Sequence, residues 1–291
     1  MIGLPMNESD PIAGALARLQ RAADSHKGSF GSVAILGGAP GMVGAALLAG
    51  RAALHMGAGK VWLGLLDPRP YCDWQQPELM LGSTAHALAQ PYTHLACGMG
   101  MGISPQSAEL LGLALNTPTP LLLDADALNL LATQAHLRAQ LQARWAQATV
   151  LTPHPAEAAR LLACTTAEVQ ADRMQAVQTL ARELGCTVLL KGHGTLIADP
   201  DGQISRNLTG NPALSSAGQG DTLAGMIIAL AAQGLTLAEA ARAGAYLHGA
   251  AADRWREQHP AGIGLTASET SLIARQILNE DVIKNSSNGN T

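Results

Sequence analysis

The sequence predicts an α/β fold with a mostly parallel central sheet and helices on both of its faces, and three observations carry that prediction. Apolar runs of strand length alternate with helical stretches along most of the 291 residues. Several of these runs are apolar throughout, as strands buried on both faces must be. Hydrophobic residues make up 47%, charged residues 14% and aromatics only 3%, so Ala, Leu and Gly do the packing and helices can lie close to the sheet.

Taken in order, Asp10-Pro11 followed by an amphipathic stretch predicts an N-terminal helical segment within residues 1–24. A polar loop, HKGSFG, leads into a buried strand at 32–38, an apolar helix at 42–56 and a second strand at 60–66. Three prolines mark 67–77 as a loop. Further strands are expected at 93–100, 120–128 and 148–155, with helices near 105–115 and 134–145 between them. Thr165 stands three residues before Glu168, a capping-box spacing that starts a helix running to about residue 184. The runs CTVLLKG, TLIADP and QISRN read as strands, the last two joined by a turn at Asp201-Gly202. An apolar helix follows from Gly220, then three helical segments, with starts marked by Thr236 and Thr266. No linker-like shift in composition appears, so residues 25–280 are expected to form one domain and 281–291 a disordered polar tail.

The net charge of −4 and the lack of any Lys/Arg cluster argue against nucleic-acid binding. Cys72, Cys97, Cys164 and Cys186 form no C-x-x-C pair and read as reduced thiols. The first 24 residues lack the pattern of a signal peptide, and no apolar run reaches membrane-spanning length, so a cytoplasmic location without membrane contact is expected.

Ligands of such sheets gather at the carboxyl ends of the strands, and the distinctive residues sit at predicted strand ends. Gly37-Gly38, Gly98, Gly100 and Gly102, Asp124 and Asp126, His154, and Lys191-Gly192 each follow a strand. Each has a plain alternative: the glycines as turns, the aspartates as helix caps, His154 as a loop residue. The stretch GNPALSSAGQGDTLAGMIIALAAQG (210–234) stands apart, because a loop of small residues opening a buried helix presents free N–H groups and a positive dipole end to an anion. Asp221 puts a carboxylate there. It is either the N-cap or a base for a hydroxyl that attacks a bound phosphate. The segment GGAPGMVGAA fits neither a dinucleotide fingerprint nor a Walker A loop, and no His/Cys/Asp spacing suggests a structural metal.

The set HKGSFGSVAILGG, GAALLAGRAAL, ACGMGMG, LLLDADALNLLA, LTPHPAEAARLL, LLKGHGT and GNPALSSAGQGDTLAGMI resembles the ADP-dependent NAD(P)H-hydrate dehydratases, which have a ribokinase-like fold, over about residues 25–258. In many bacteria this domain is fused behind an epimerase domain; the chain here begins just before HKG, so that domain is expected to be missing. The resemblance implies that Ala45, Gly100 and His154 contact the hydrated nicotinamide nucleotide. It implies that Lys191, Gly192, His193, Gly194, Thr195 and Gly220 contact ADP or AMP. Asp221 then contacts the hydrate and is the catalytic base, and the N–H groups of Ala217, Gly218, Gln219 and Gly220 form the anion hole. Ala217 and Gln219 depart from the glycine and the serine or threonine usual there, which leaves the N–H groups but not a hydroxyl at 219. The implied reaction is ADP-dependent dehydration of (S)-NADHX and (S)-NADPHX to NADH and NADPH, with Mg²⁺ bridging the phosphates. An NAD(P)H-hydrate epimerase is the implied functional partner, and a homotetramer the implied assembly. A small-molecule kinase of the same fold is the alternative, against which HKG and PHPAE speak. A catalytically silent nucleotide sensor is the other, against which the retained Asp221 speaks.

Overall fold

The computed structural model describes residues 11–67, 69–145 and 148–288. Among these residues nine strands form one sheet: β1 Ser32–Gly37, β2 Lys60–Leu65, β3 Met80–Ser83, β4 His94–Cys97, β5 Leu121–Leu123, β6 Thr149–Leu151, β7 Thr187–Leu190, β8 Leu196–Ala198 and β9 Ile204–Arg206. Their order is β3-β2-β1-β4-β5-β6-β7-β8-β9. Every pairing from β3 through β7 is parallel; β8 and β9 close the sheet as an antiparallel hairpin. The direction of winding reverses between β1 and β4, so the loops leaving these two strands diverge and open a crevice at their carboxyl ends.

Successive residues of the strands face opposite layers, as a period of two requires. Val33, Ile35, Val61, Leu63, Ala96 and Leu122 pack under α1 (Pro11–Ala17), α2 (Val43–His55), α10 (Gln219–Ala232), α11 (Leu237–Gln258) and α12 (Ala267–Asn288). Ala34, Leu36, Leu95, Cys97, Leu121 and Leu123 face the other layer: α3 (Thr84–Leu88), α4 (Pro105–Leu115), α5 (Asp126–Thr133), α6 (Ala135–Gln142), α7 (Pro155–Leu162), α8 (Thr166–Ala171) and α9 (Arg173–Leu184). The expected two-faced, mostly parallel sheet is therefore present.

Several elements differ from the sequence expectation. β3 and α3 occupy 80–88, a stretch too short and too weakly patterned to signal a strand, and α7 follows β6 directly. The run expected as one strand at 120–128 stops at Leu123: Ala125 takes φ 51°, and α5 starts at the next residue. The helix expected from Thr165 to about 184 breaks at Asp172, whose non-helical backbone ends α8 and whose carboxylate caps α9 by accepting from Gln175 N at 2.9 Å. Among the described residues two helices follow α10, not three, and α12 continues through 281–288, inside the expected tail. Asp281 anchors that continuation by accepting from Tyr246 Oη at 3.0 Å. Residues 289–291 of that tail, and 1–10 of the N-terminal segment, lie outside the described residues. HKG sits just before β1, at the amino end of the sheet, where His26 caps a short turn by accepting from Gly28 N.

α10 is buried from Thr222 to Ala231 and crosses α2, whose buried residues are Ala46, Ala49, Gly50, Ala52 and Ala53. At the crossing a Cβ on Gly225 would run into the carbonyl of Ala49. Gly225→Val is therefore expected to force the two helices apart at a cost of about 1–3 kcal/mol. A urea titration should show a lower midpoint with an unchanged slope.

Candidate active site

The site lies at the carboxyl ends of the strands, around the start of α10. Gly218 is the N-cap of that helix, with φ 84°, a conformation that glycine adopts without penalty, and no side chain caps the helix. Its first internal bond is Thr222 N to Gly218 O, 3.0 Å, so helix geometry leaves the N–H groups of Gln219, Gly220 and Asp221 without an intrahelical acceptor. Asp221 is the third helical residue and makes no cap bond, which removes the plain alternative for it. Burial pushes its carboxyl up to about 6; Asp124 and Asp126 add to the rise, and Lys191 opposes it. A carboxyl set there is a base poised to gain and lose a proton near neutral pH.

Lys191, at the end of β7, does not point into open space. Its Nζ lies 2.8 Å from Asp124 Oδ1 and 3.9 Å from Glu157 Oε2. Burial pulls the ammonium down, but Asp124, Glu157 and Asp221 outweigh it and hold its pKa above the usual lysine value. Asp124 is thus not a helix cap but the partner of this lysine, 67 residues away in sequence. The pair flanks the start of α10: a Cβ on Gly220 would lie 3.3 Å from Lys191 Nζ and 3.6 Å from Asp124 Oδ2.

His154 is likewise no plain loop residue. It caps α7, its Nδ1 accepting from Ala156 N at 3.1 Å and Glu157 N at 3.3 Å, while Glu157 Oε2 accepts from His154 N at 2.8 Å. These acceptor roles place the ring proton on Nε2, 3.3 Å from Glu157 Oε1. Burial, with Lys191 and Arg160 nearby, lowers the pKa of His154 and keeps it neutral. Burial raises that of Glu157.

Ala45 and Gly100 meet at the β1/β4 crevice, where a Cβ on Gly100 would sit 3.0 Å from Ala45 Cβ and Ala39 N donates to Gly100 O at 2.7 Å. Asp126 joins this loop to the Asp221 side by accepting from Gly102 N at 2.7 Å. The segment Gly192, His193, Gly194 and Thr195 forms the β7–β8 turn. There Arg173 donates to the carbonyls of Leu190, Lys191 and His193, and Thr195 Oγ1 donates to Gly192 O at 3.0 Å. This turn reaches the Asp221 cluster through Lys191 alone among the contacts described, and Ala217 is exposed at the mouth. Asp124, Asp126 and Glu157 join the cluster without having been assigned roles from sequence. The two aspartates had signalled themselves only as acidic residues after an apolar strand, and Glu157 only as part of PHPAE.

The NAD(P)H-hydrate dehydratase family model matches residues 33–275. An ADP-dependent (S)-NAD(P)H-hydrate dehydratase of Neisseria meningitidis serogroup B is 48% identical over 265 residues, covering 89% of this chain and 88% of that protein. A bifunctional NAD(P)H-hydrate repair enzyme of Coxiella burnetii is 42% identical over 245 residues, 82% of this chain; the match spans 49%, about half, of that longer protein. The Bacillus subtilis ADP/ATP-dependent NAD(P)H-hydrate dehydratase co-crystallised with ATP/Mg²⁺ superposes with a TM-score of 0.77 at 30% identity, covering 97% of this chain and 100% of that one.

Two stability measurements test the electrostatics. A carboxyl raised in the folded state binds its proton more tightly there than when unfolded, so stability falls as pH climbs from about 4 toward 6 and stays lowered above it. Asp221→Asn removes this penalty and should stabilise the free protein by ~2 kcal/mol at pH 8, but little at pH 4. An equal gain at both pH values would show that the carboxyl is not strained by burial. Lys191→Met leaves Asp124, whose side chain is 2% exposed, without its cation. The loss should be ~3–5 kcal/mol, with part of it recovered in the Asp124→Asn/Lys191→Met double variant.

Proposed function

The chain belongs to the NAD(P)H-hydrate dehydratase family, and on that footing we propose that it is an ADP-dependent hydro-lyase. It restores NADH and NADPH from (S)-NADHX and (S)-NADPHX and releases AMP and phosphate. The observation that carries this reading is Asp221, a base with its pKa raised to about 6, in the same helical turn as the free N–H donors of α10.

Hydroxide is a poor leaving group, and the chemistry first makes it a better one. Asp221 takes the proton of the hydrate hydroxyl, and the oxygen attacks the terminal phosphorus of ADP. The bond from that phosphorus to the bridging oxygen breaks, and AMP leaves. Charge spreading over the transferring group meets the N–H groups at Ala217–Gly220 and the positive end of α10. The lone pair of the ring nitrogen then expels phosphate from the adjacent carbon. Loss of a proton from the neighbouring ring carbon restores the double bond of NAD(P)H.

Ala45, Gly100 and His154 line the hydrate side; Lys191, the Gly192–Thr195 turn and Gly220 line the nucleotide side. Lys191 is largely neutralised by Asp124, so its role is to keep a carboxylate-rich pocket from repelling a polyanion. Among the described residues no group of three His, Cys, Asp or Glu side chains is placed to hold a metal ion. A Mg²⁺ ion would be held by nucleotide phosphates and water, with one or two carboxylates such as Asp124 or Asp126, and would supply charge neutralisation. Use of one epimer makes an NAD(P)H-hydrate epimerase the functional partner. The assembly proposed is a homotetramer, and large exposed apolar side chains such as Tyr71, Trp74 and Ile103 are available for contacts between subunits. The four free cysteines support a reducing, cytoplasmic setting.

Incubation of (S)-NADHX with ADP and Mg²⁺, followed by NADH absorbance and phosphorus NMR, tests the reaction. The expected result is one AMP and one phosphate for each NADH, no nucleotide consumed without hydrate, and kcat/KM declining as pH drops below about 6. Asp221→Asn should lose ~10²–10⁴-fold in turnover. A stable phosphate ester formed faster than NADH would mean a kinase instead.

A further inference from the structure

The first turn of α10 is held in an unusual way. It begins on Gly218, contains Gly220, and has no side-chain cap, so by itself this stretch of backbone is free to shift. The residue between the two glycines, Gln219, turns its side chain away from the mouth and is 5% exposed. Gln219 Oε1 lies 3.0 Å from Nε2 of the buried His248 on α11, and its Nε2 donates to Ser216 Oγ at 3.1 Å. Ser216 Oγ in turn donates to Leu265 O in the α11–α12 connection at 2.8 Å.

The proton order along this chain is fixed from one end. Ser216 gives its only hydrogen to the Leu265 carbonyl, so its oxygen must accept, and Gln219 must present its NH₂ there and its carbonyl to His248. His248 therefore carries its proton on Nε2 as the donor. Burial, first among the causes, pulls its pKa down to about 4, so the ring stays neutral and adds no charge beside the anion site. A second tether, Thr222 Oγ1 to Ala267 O at 3.3 Å, runs to the same end of α12.

We propose that Gln219 and His248 are positioning residues for phosphoryl transfer: their bond, continued through Ser216 to Leu265, locks the first turn of α10 so that its N–H groups stay aimed at the transferring phosphoryl group. A preorganised donor stabilises a transition state without reorganising during the reaction, and a small misplacement forfeits much of that. Gln219 thus supplies through its side chain the rigidity that two flanking glycines take away. The inference rests on the phosphoryl transfer proposed above.

The test compares Gln219→Leu, His248→Leu, His248→Gln and the Gln219→Leu/His248→Leu double variant. Kinetics are scaled to folded protein, and amide hydrogen exchange is followed over residues 217–224 without hydrate. The leucine variants should lose about 10–100-fold in kcat with KM for hydrate and ADP within about threefold, and exchange in that segment should speed up about tenfold or more. The double variant should be no worse than the worse single one, because both cut the same chain. His248→Gln, whose amide can still donate to Gln219, should recover most of the rate. Should the buried variants fail to fold, Ser216→Ala breaks the same chain at its exposed end and should give a smaller loss of the same kind. A kcat within threefold of the parent, a rise in KM with kcat unchanged, or unchanged exchange would each overturn the proposal. If the parent itself consumed no hydrate, the proposed function would fall while the exchange result still decided whether Gln219 and His248 hold the turn.

Discussion

The burial of α10 is the constraint on which the rest of the structure depends. A helix with no face left for solvent must be packed on all sides. Here that takes the alanine- and glycine-rich side of α2, the strands near the reversal of winding, and the helices α11 and α12. Gly220 and Asp221 in its first turn are only partly buried, and the unmet N–H groups there are directed to the carboxyl edge of the sheet. Because the two neighbouring glycines leave that turn loose, its precision is borrowed from elsewhere: from Gln219 and His248 on one side, and from Thr222 and Ala267 on the other.

Charge around this turn follows a second rule. One lysine stands among Asp124, Asp126, Glu157 and Asp221, and these neighbours shift both Lys191 and Asp221. Lys191 is held against Asp124, the nearer carboxylate, so Asp221 is left both desolvated and without a close cation. Its raised pKa is a consequence of that arrangement. A carboxyl held in this way is expected to lower the stability of the unliganded fold at neutral pH, where it is ionised.

The loops of the β1/β4 crevice depend on the same edge. The β1 and β4 turns are tied to each other by Gly38 N to Met99 O at 3.0 Å and Ala39 N to Gly100 O at 2.7 Å. Asp126, by accepting from Gly102 N, fastens them to α5. His154 and Glu157 exchange bonds at the head of α7, so the histidine faces the cluster as a rigid, neutral ring.

The sequence alone determined the fold class, because apolar runs without alternation require two covered faces, and the placement of glycines, aspartates, His154 and Lys191 at strand ends. It also determined the helix that opens at 218–221, through its small residues and its unbroken apolar run. It could not assign partners. Whether Asp124 caps a helix or binds Lys191 depends on β5 and β7 standing two strands apart with β6 between them, a fact of sheet order that no local pattern encodes. β3 and α3 were illegible for a related reason: four residues and five, only partly buried, acquire their structure from pairing with β2 and packing against it. Gln219 showed in sequence only as a departure from a family pattern. Its role as an anchor was decided by tertiary structure, because His248 reaches it from a helix that begins 18 residues later.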